Sequence, residues 1–440
     1  MRYPFASAAL LVARAGALST WPSLGLSAPV AEALQALGDF EAPTEVQSCS
    51  IPPLLAGEDV LIHAQTGSGK TLAYLAPLFS RVDAARQTTQ AVVVVPSREL
   101  GLQVAKVSRR MAKAMNAASD GKPIMVMSCM DGSSLRRQKK WAWAEPPHVV
   151  VGNARAVHEM AKYGGLRCAD AVEFVVIDEV DAFFDPARAD DRDALHSFLV
   201  EALAPGQSGG AAKGKKKKVD NAARRLRRQT VFATASLEQP RHLASRLAQM
   251  RWTASSTPPT YVNAGASLPE QLRHYAALAP MADRAAALRA VLDDAGGAAI
   301  IFCDASRDGR ALAADLGAGG LKIAVLDEGD DLGARQAALE AYAAGDADVL
   351  LAADGVAARG IDAPRTSLVV QFDFPRDATA YLHRAGRTAR LGRPGAVLTL
   401  LDDAQRKPLD RFANYLHIDI TDITMDAAGR ALLAPGATVK

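Results

Sequence analysis

Cysteine is scarce in this chain of 440 residues. Cys49, Cys129, Cys168 and Cys303 lie far apart and form no CxxC pair. That spacing excludes a disulfide framework and a close-spaced zinc site, and it reads as free thiols in a reducing compartment. Long apolar runs are lacking, so no segment reads as a membrane span. A surplus of one charge is lacking too. The 51 basic and 48 acidic residues leave a net charge of +3, so any argument for a nucleic-acid partner rests on where charges cluster. Acids are absent from the N-terminus as far as Glu32, and residues 1–20 carry Arg2 and Arg14 among alanines and serines. An organellar presequence, mitochondrial or plastid, has that composition; so does an Ala-rich extension with no address. Arg14 interrupts the apolar run that a secretory signal needs.

What is present supports large cores. Hydrophobic residues make up 49% of the chain, and the length suits two or three domains. Short β-branched runs recur at 59–63, 91–95, 124–128, 148–151, 173–177 and 230–233, separated by Ala/Leu/Arg-rich segments such as 72–84 and 99–116. Continuous apolar runs of this length suit strands buried on both faces of a parallel sheet, and their alternation with helical segments predicts an α/β fold. A second series follows at 298–303, 322–326, 348–352, 367–372 and 396–401. Between the two series, residues 253–269 are rich in Ser, Thr, Pro and Gly, which predicts a linker. The expected organisation is an extension (1–20), a first domain (21–252), the linker, a second domain (270–425) and a tail (426–440).

One stretch inside the first domain departs from globular composition. Residues 206–218 read GQSGGAAKGKKKK, and 213–228 hold nine basic residues against one acid, Asp220. Such a basic insertion (206–228) predicts a surface loop. Its charge suits RNA or ribosome-like surfaces, a nuclear address, or solvent alone.

Three motifs carry chemistry. Ala64-Gln65-Thr66-Gly67-Ser68-Gly69-Lys70-Thr71 follows a predicted strand and opens a predicted helix, the context of a phosphate-binding loop. Gly67 and Gly69 let backbone N–H groups close on phosphate oxygens at a helix N-terminus. Lys70 is then the phosphate-binding amine and the Thr71 hydroxyl a magnesium ligand. Asp178-Glu179-Val180-Asp181 ends another strand: Asp178 suits Mg²⁺, and Glu179 suits orienting and deprotonating the attacking water. In the second half, His383-Arg384-Ala385-Gly386-Arg387-Thr388-Ala389-Arg390 puts Arg387 and Arg390 three apart, hence on one face if helical. They read as arginine fingers, or as an exposed basic helix.

Together these residues resemble the DEAD-box ATP-dependent RNA helicases, over about residues 21–401. Asp178 to Asp181 resembles that family's D-E-A-D box, with Val for Ala. Residues 38–47, with Pro43, Thr44 and Gln47, resemble its Q motif, which implies that Gln47 reads adenine, with Trp21 packing nearby. Pro96-Ser97-Arg98-Glu99-Leu100 resembles P-T-R-E-L. Ile300-Ile301-Phe302 resembles the motif that opens the second domain, and Arg359-Gly360-Ile361-Asp362 resembles R-G-L-D. The resemblance implies two RecA-like domains, each a parallel sheet with helices on both faces, and ATP with Mg²⁺ in a cleft between them. It gives His383 a catalytic place beside Arg387 and Arg390, and Gly360 and Asp362 a place at the nucleotide. It implies RNA contacts from Pro96, Ser97, Arg98, Gly132, Arg155, Arg335 and Arg359, directed mainly at phosphates and 2′-hydroxyls. Asp181 with Thr234, Ala235 and Ser236 would couple hydrolysis to unwinding.

Departures from the pattern fall mostly on the RNA side. S-A-T appears as Thr234-Ala235-Ser236, and T-P-G-R as Gly152-Asn153-Ala154-Arg155. Asp354-Gly355 stands where T-D is expected, and H-G-D lies in the acidic run 327–331. Acids there would repel phosphate. The function expected is therefore an RNA-dependent ATPase that unwinds or remodels structured or ribosomal RNA without strong sequence preference, with ribonucleoprotein assembly partners and no membrane. The alternative is an ATP-binding assembly factor that clamps ribonucleoprotein and unwinds little. An organelle is the expected location, with nucleus or cytoplasm as alternatives.

Overall fold

The computed structural model describes residues 20–38, 42–65, 67–117, 122–131, 135–163, 165–166, 171–203, 228–235, 240–254, 257–264, 271–295, 298–304, 306–318, 320–327, 329–353, 365–389, 393–425 and 431–433. Two compact units divide the chain, residues 1–266 and 267–440. Residues 1–19 of the expected presequence, most of the basic insertion, Asp354 and Gly355 lie outside the described residues.

The first unit is built on seven parallel strands. These are β1 (Val60–His63), β2 (Ala91–Val95), β3 (Val126–Cys129), β4 (Val149–Asn153), β5 (Phe174–Ile177), β6 (Gln229–Thr234) and β7 (Thr260–Asn263), in the order β3-β4-β2-β5-β6-β1-β7. Its helices are α1 (Ala28–Leu37), α2 (Glu45–Leu55), α3 (Lys70–Arg81), α4 (Arg98–Ala117), α5 (Leu135–Ala144), α6 (Ala154–Lys162), α7 (Ala189–Ser197) and α8 (Pro240–Gln249). The apolar runs feed two cores, because successive strand side chains face opposite ways. On β2, Val93 and Val95 join one core while Val92 and Val94 join the other. On β5, Phe174 and Val176 separate in the same way from Val175 and Ile177. Both faces of the sheet are therefore covered.

The linker expected over 253–269 is partly a strand. Residues 260–263 pair in parallel with β1 at the sheet edge. Composition hid it: a four-residue edge strand with one buried side chain, Val262, carries little apolar signal. The mouth of the insertion is fixed as well. Arg228 is buried and donates to Leu199 O at 2.7 Å and to Trp252 O at 3.4 Å.

The second unit holds β8 (Leu272–Leu278), β9 (Ala299–Cys303), β10 (Ile323–Leu326), β11 (Val349–Ala353), β12 (Leu368–Gln371), β13 (Gly395–Leu401), β14 (Ile420–Met425) and β15 (Ala431–Leu433), in the order β10-β11-β9-β12-β13-β8-β14-β15. All pairs are parallel except β14 with β15. Its helices are α9 (Arg284–Ala295), α10 (Gly309–Gly317), α11 (Leu332–Ala344), α12 (Ala378–Ala385) and α13 (Asp403–Leu416). Strand-to-helix alternation thus yields the α/β fold expected. Of the strands missed, β8 and β14 mix polar and apolar residues, and β15 is only three residues long. Among the described residues no helix is long and apolar enough to cross a membrane.

Candidate functional site

Because the first sheet is parallel, its strand C-termini share one edge, where open α/β sheets bind ligands. Strand order then fixes what meets there. Along that edge the chain presents, in turn, Asp131 after β3, Asn153 to Arg155 at the end of β4, Pro96 to Arg98 after β2, Asp178 to Asp181 after β5, Thr234 at the end of β6, and residues 64–70 after β1. The motifs expected to hold nucleotide occupy one half of the edge and those expected to contact RNA the other, with the acidic box between them.

The phosphate loop is braced before any ligand arrives. Ala64 N–H donates to Thr234 O at 3.2 Å, and Lys70 Nζ donates to Ala64 O at 2.6 Å and Gln65 O at 2.7 Å. Gly67 and Gly69 adopt φ of 83° and 99°, a region that favours glycine. At Gly69 space adds a second reason, since a Cβ there would stand 2.5 Å from Gln47 Nε2. Thr66 lies outside the described residues.

Gln47 and Thr44 reach this loop from α2. They form a capping box, with Thr44 N–H donating to Gln47 Oε1 at 2.7 Å. Gln47 Nε2 also donates to Gly69 O at 3.2 Å, and the Thr44 hydroxyl donates to Ser68 O at 2.9 Å. Gln47 is therefore a buried brace of the loop as well as an adenine candidate. Trp21 differs from the expectation. It is 1% exposed and sits within the hydrophobic core, so its ring is covered by packing and presents no open face.

Asp178 ends β5 almost fully buried. Its carboxylate accepts from Tyr74 Oη at 2.8 Å and from the Glu179 N–H at 2.9 Å. Burial raises the Tyr74 phenol well above its ordinary value, with Asp178 adding to the rise and Thr71 opposing it. Burial raises the Asp178 carboxyl above its ordinary value, while Tyr74 and Lys70 pull it down. Glu179 takes a left-handed φ of 46°, a strained conformation for a side chain of this kind and common at functional positions. A 3-10 turn, Val180–Phe184, follows. Asp181 Oδ1 accepts from Thr234 Oγ1 at 2.7 Å, which joins the acidic box to the end of β6. Ala235 is buried beside it, and Ser236 lies outside the described residues.

The residues expected to contact RNA are engaged with one another and with acids. Arg98 donates to Asp131 O at 2.8 Å. Asn153, standing where a proline is expected, accepts from the Asp131 N–H at 3.0 Å and donates back to its carboxylate. Gly152 is required there, because a Cβ would stand 2.3 Å from Cys129 O. Arg155 pairs with Asp191 at 2.8 Å and Asp190 at 3.3 Å, both on α7. Arg188 donates to Pro96 O at 2.6 Å and reaches Asp191 at 3.4 Å. Ser97 Oγ accepts from Leu100 N–H at 3.3 Å in the first turn of α4. Gly132 lies outside the described residues.

In the second unit two expectations change. Arg387 is not on a helix, because α12 ends at Ala385 with Gly386 as its cap, and Ala389 beyond it takes a φ of 54°. Arg387 is 1% exposed and its Nε donates to His383 O at 2.9 Å, with His383 also buried. The acidic run is occupied locally. Asp331 caps α11 through the Ala334 N–H, Asp327 accepts from the Gly329 N–H, and Asp330 pairs with Arg310. Arg335 donates to Asp330 O at 3.0 Å. Arg359, Gly360, Asp362 and Arg390 lie outside the described residues.

Tyr74, Asp190, Asp191 and the Asn153–Asp131 latch escaped the sequence reading. Only Tyr74 left a usable signal: it lies one turn beyond Lys70 on the helix that the loop opens, on the same face.

A phosphate-type loop, strand-end carboxylates and two α/β units are the parts of a nucleoside-triphosphatase motor. The DEAD/DEAH box helicase model matches residues 44–243, and the helicase conserved C-terminal domain model matches residues 283–392. The chain belongs to the DEAD/DEAH box helicase family. It is 33% identical over 406 residues to "DEAD-box ATP-dependent RNA helicase 58, chloroplastic" of Oryza sativa subsp. japonica, covering 88% of this chain and 85% of the relative. The Arabidopsis thaliana protein of the same name is 35% identical, covering 86% and 78%. In fold it is similar to S. cerevisiae Dbp5 bound to RNA and ADP BeF3, with a TM-score of 0.76 at 22% identity over 92% of this chain and 96% of that one.

Proposed function

We propose that this chain is an ATP-dependent RNA helicase that couples ATP hydrolysis to RNA binding and to local duplex unwinding or ribonucleoprotein remodelling. One observation carries the reading: the adjacent ends of β5, β6 and β1 bring Asp178 to Asp181, Thr234 and the phosphate loop to one sheet edge, linked by the Asp181–Thr234 and Thr234–Ala64 hydrogen bonds. Names of the relatives favour a helicase over a clamp that unwinds little.

Lys70 and the loop amides hold phosphate, and Glu179 orients and deprotonates the attacking water. The variant box Asp178-Glu179-Val180-Asp181 keeps every carboxylate this chemistry needs. Hard oxygen donors at Thr71 and Asp178 fit Mg²⁺, the Asp178 carboxylate being held in place by the Tyr74 phenol. Bound there, the ion neutralises charge that develops on the phosphates. Gln47 selects adenine. His383, Arg387 and Arg390 supply the second unit's catalytic groups, and Gly360 and Asp362 its nucleotide contacts. Pro96, Ser97, Arg98, Gly132, Arg155, Arg335 and Arg359 contact RNA, largely through phosphates and 2′-hydroxyls, so sequence preference is weak.

Structured or ribosomal RNA is the substrate, with ribonucleoprotein assembly partners. The location is a plastid: the acid-free N-terminus and the chloroplastic names of the relatives both support it. The test is ATP hydrolysis with and without RNA beside displacement of a short duplex. Hydrolysis should rise with RNA and vanish in Lys70→Ala and Glu179→Gln, with nucleotide binding lost in the first and kept in the second. Normal turnover in Glu179→Gln, or indifference to RNA, would overturn the reading.

A further inference from the structure

Away from the strand-end edge, α5 has the sequence LRRQKKWAWA. At 100° per residue, Arg136, Lys140 and Ala144 form one exposed row, flanked by Arg137 and Trp141 on one side and by Lys139 and Trp143 on the other. Among the described side chains of the helix, only Ala142 turns fully inward. Trp143 is 63% exposed, and Tyr163, just past the end of α6, is 62% exposed. Lys139 ties these aromatics together: its Nζ lies 4.5 Å from the Tyr163 ring centroid, and it precedes Trp143 by one helical turn. Lys162 approaches the same ring at 5.6 Å.

Large aromatics left in water need a reason, and so does a row of cations. Among the described residues Arg136, Arg137, Lys139 and Lys140 have no carboxylate partner. This sets them apart from Arg155 and Arg188, which are held by Asp190 and Asp191. Folding does not account for the helix's outer face, since its packing uses the opposite one. A charge-complementary occupant is polyanionic, and exposed aromatic rings beside cations suit one whose bases can stack. Single-stranded nucleic acid has both properties: phosphates that track a cationic row and bases that stack on aromatic faces without sequence preference.

We infer that the outer face of α5, with Tyr163, is an accessory binding surface for a single-stranded segment of the RNA that the strand-end edge engages. Phosphates lie along Arg136 and Lys140, and a base stacks on Trp143. The inference rests on the RNA-helicase reading above, and it adds a contact outside the motifs that define the family. It gives the protein a second grip on RNA, outside the catalytic edge, and this grip is not gated by ATP.

The experiment titrates the full chain, without nucleotide, with a short oligouridylate and with a longer one, at two salt concentrations. The longer RNA should bind more tightly. Arg136→Glu with Lys140→Glu should abolish that length-dependent gain and reduce the salt slope by about one per lost phosphate contact. Trp143→Ala should weaken binding of the long RNA about five-fold or more, and Trp143→Phe, which keeps a stacking face, should restore most of it. A wild type that binds both lengths equally, or a charge-reversed variant that keeps the gain, overturns the proposal; in the second case the surface is left to a protein partner. Wild-type hydrolysis with the short RNA separates the two readings. Stimulation there with no length gain sinks only the accessory surface, whereas no stimulation by either RNA sinks the helicase reading itself.

Discussion

Tyr74 donates a 2.8 Å hydrogen bond to Asp178 across the buried interior of the nucleotide site, so a phenol on the phosphate-loop helix steadies the first carboxylate of the acidic box. It opposes the effect of burial, which lifts the Asp178 carboxyl above its ordinary value. The carboxylate must be ionised to work.

Tyr74→Phe should therefore raise the Asp178 pKa further, since a hydrogen bond to the charged form is lost. Activity requires the deprotonated form, so the acid limb of the kcat/KM profile should move to higher pH. The alkaline side should change little. A pH–rate profile of the two proteins checks this, and coincident acid limbs would remove Tyr74 from the site.

Gln47→Ala should act on affinity and on the loop together. It leaves the Thr44 N–H without its partner and the Gly69 carbonyl with only its bond from the Ala73 N–H, and a buried polar group left unsatisfied costs about 1–3 kcal/mol. The melting temperature should fall, the KM for ATP should rise, and the preference for ATP over GTP should narrow. An unchanged ATP/GTP ratio with a lowered melting temperature would make Gln47 a brace alone.

Thr234→Ala removes the hydroxyl that Asp181 accepts from. ATP hydrolysis should survive, because neither side chain is among the groups proposed to hold phosphate or activate water, while displacement of a short duplex falls sharply. Thr234→Ser should keep both. Equal losses of hydrolysis and displacement would argue against a coupling role.

Neutralising α7 should strengthen RNA binding. Asp190→Asn with Asp191→Asn frees Arg155, whose pairing with them is half exposed and hence worth at most about 1 kcal/mol. RNA affinity should rise by a factor of a few at low salt, with the gain shrinking as salt screens the charges. The measurement is a binding titration at two ionic strengths; weaker binding would mean that the acids position Arg155 for RNA rather than withhold it.

The fold was legible wherever strands are buried on both faces. Ala91–Val95 and Phe174–Ile177 announce themselves because every side chain faces a core. Edge and mixed strands such as Thr260–Asn263 and Ile420–Met425 do not, since they keep polar residues. The phosphate loop and the acidic box were legible because the chemistry fixes both residue type and spacing. Asn153–Asp131 and Arg155–Asp190 were not, because each joins residues remote in sequence that strand order brings together. The shared face that Arg387 and Arg390 would have on a helix was not testable from spacing alone, because Gly386 ends α12 before Arg387. The acids of 327–331 looked like an obstacle to phosphate, yet Asp331 is a helix cap and Asp330 an ion-pair partner.

Arg228 fastens the start of β6 to Leu199 and Trp252, so the two borders of the lysine-rich insertion are held side by side whatever lies between them. Closing a longer or shorter loop across fixed ends changes its entropy only as the logarithm of length. That makes the junction a permissive splice point. Foreign domains, reporters or a bare Gly-Ser bridge can be exchanged there with little cost to the sheet, and such swaps offer a way to assign the insertion its task while the motor stays whole.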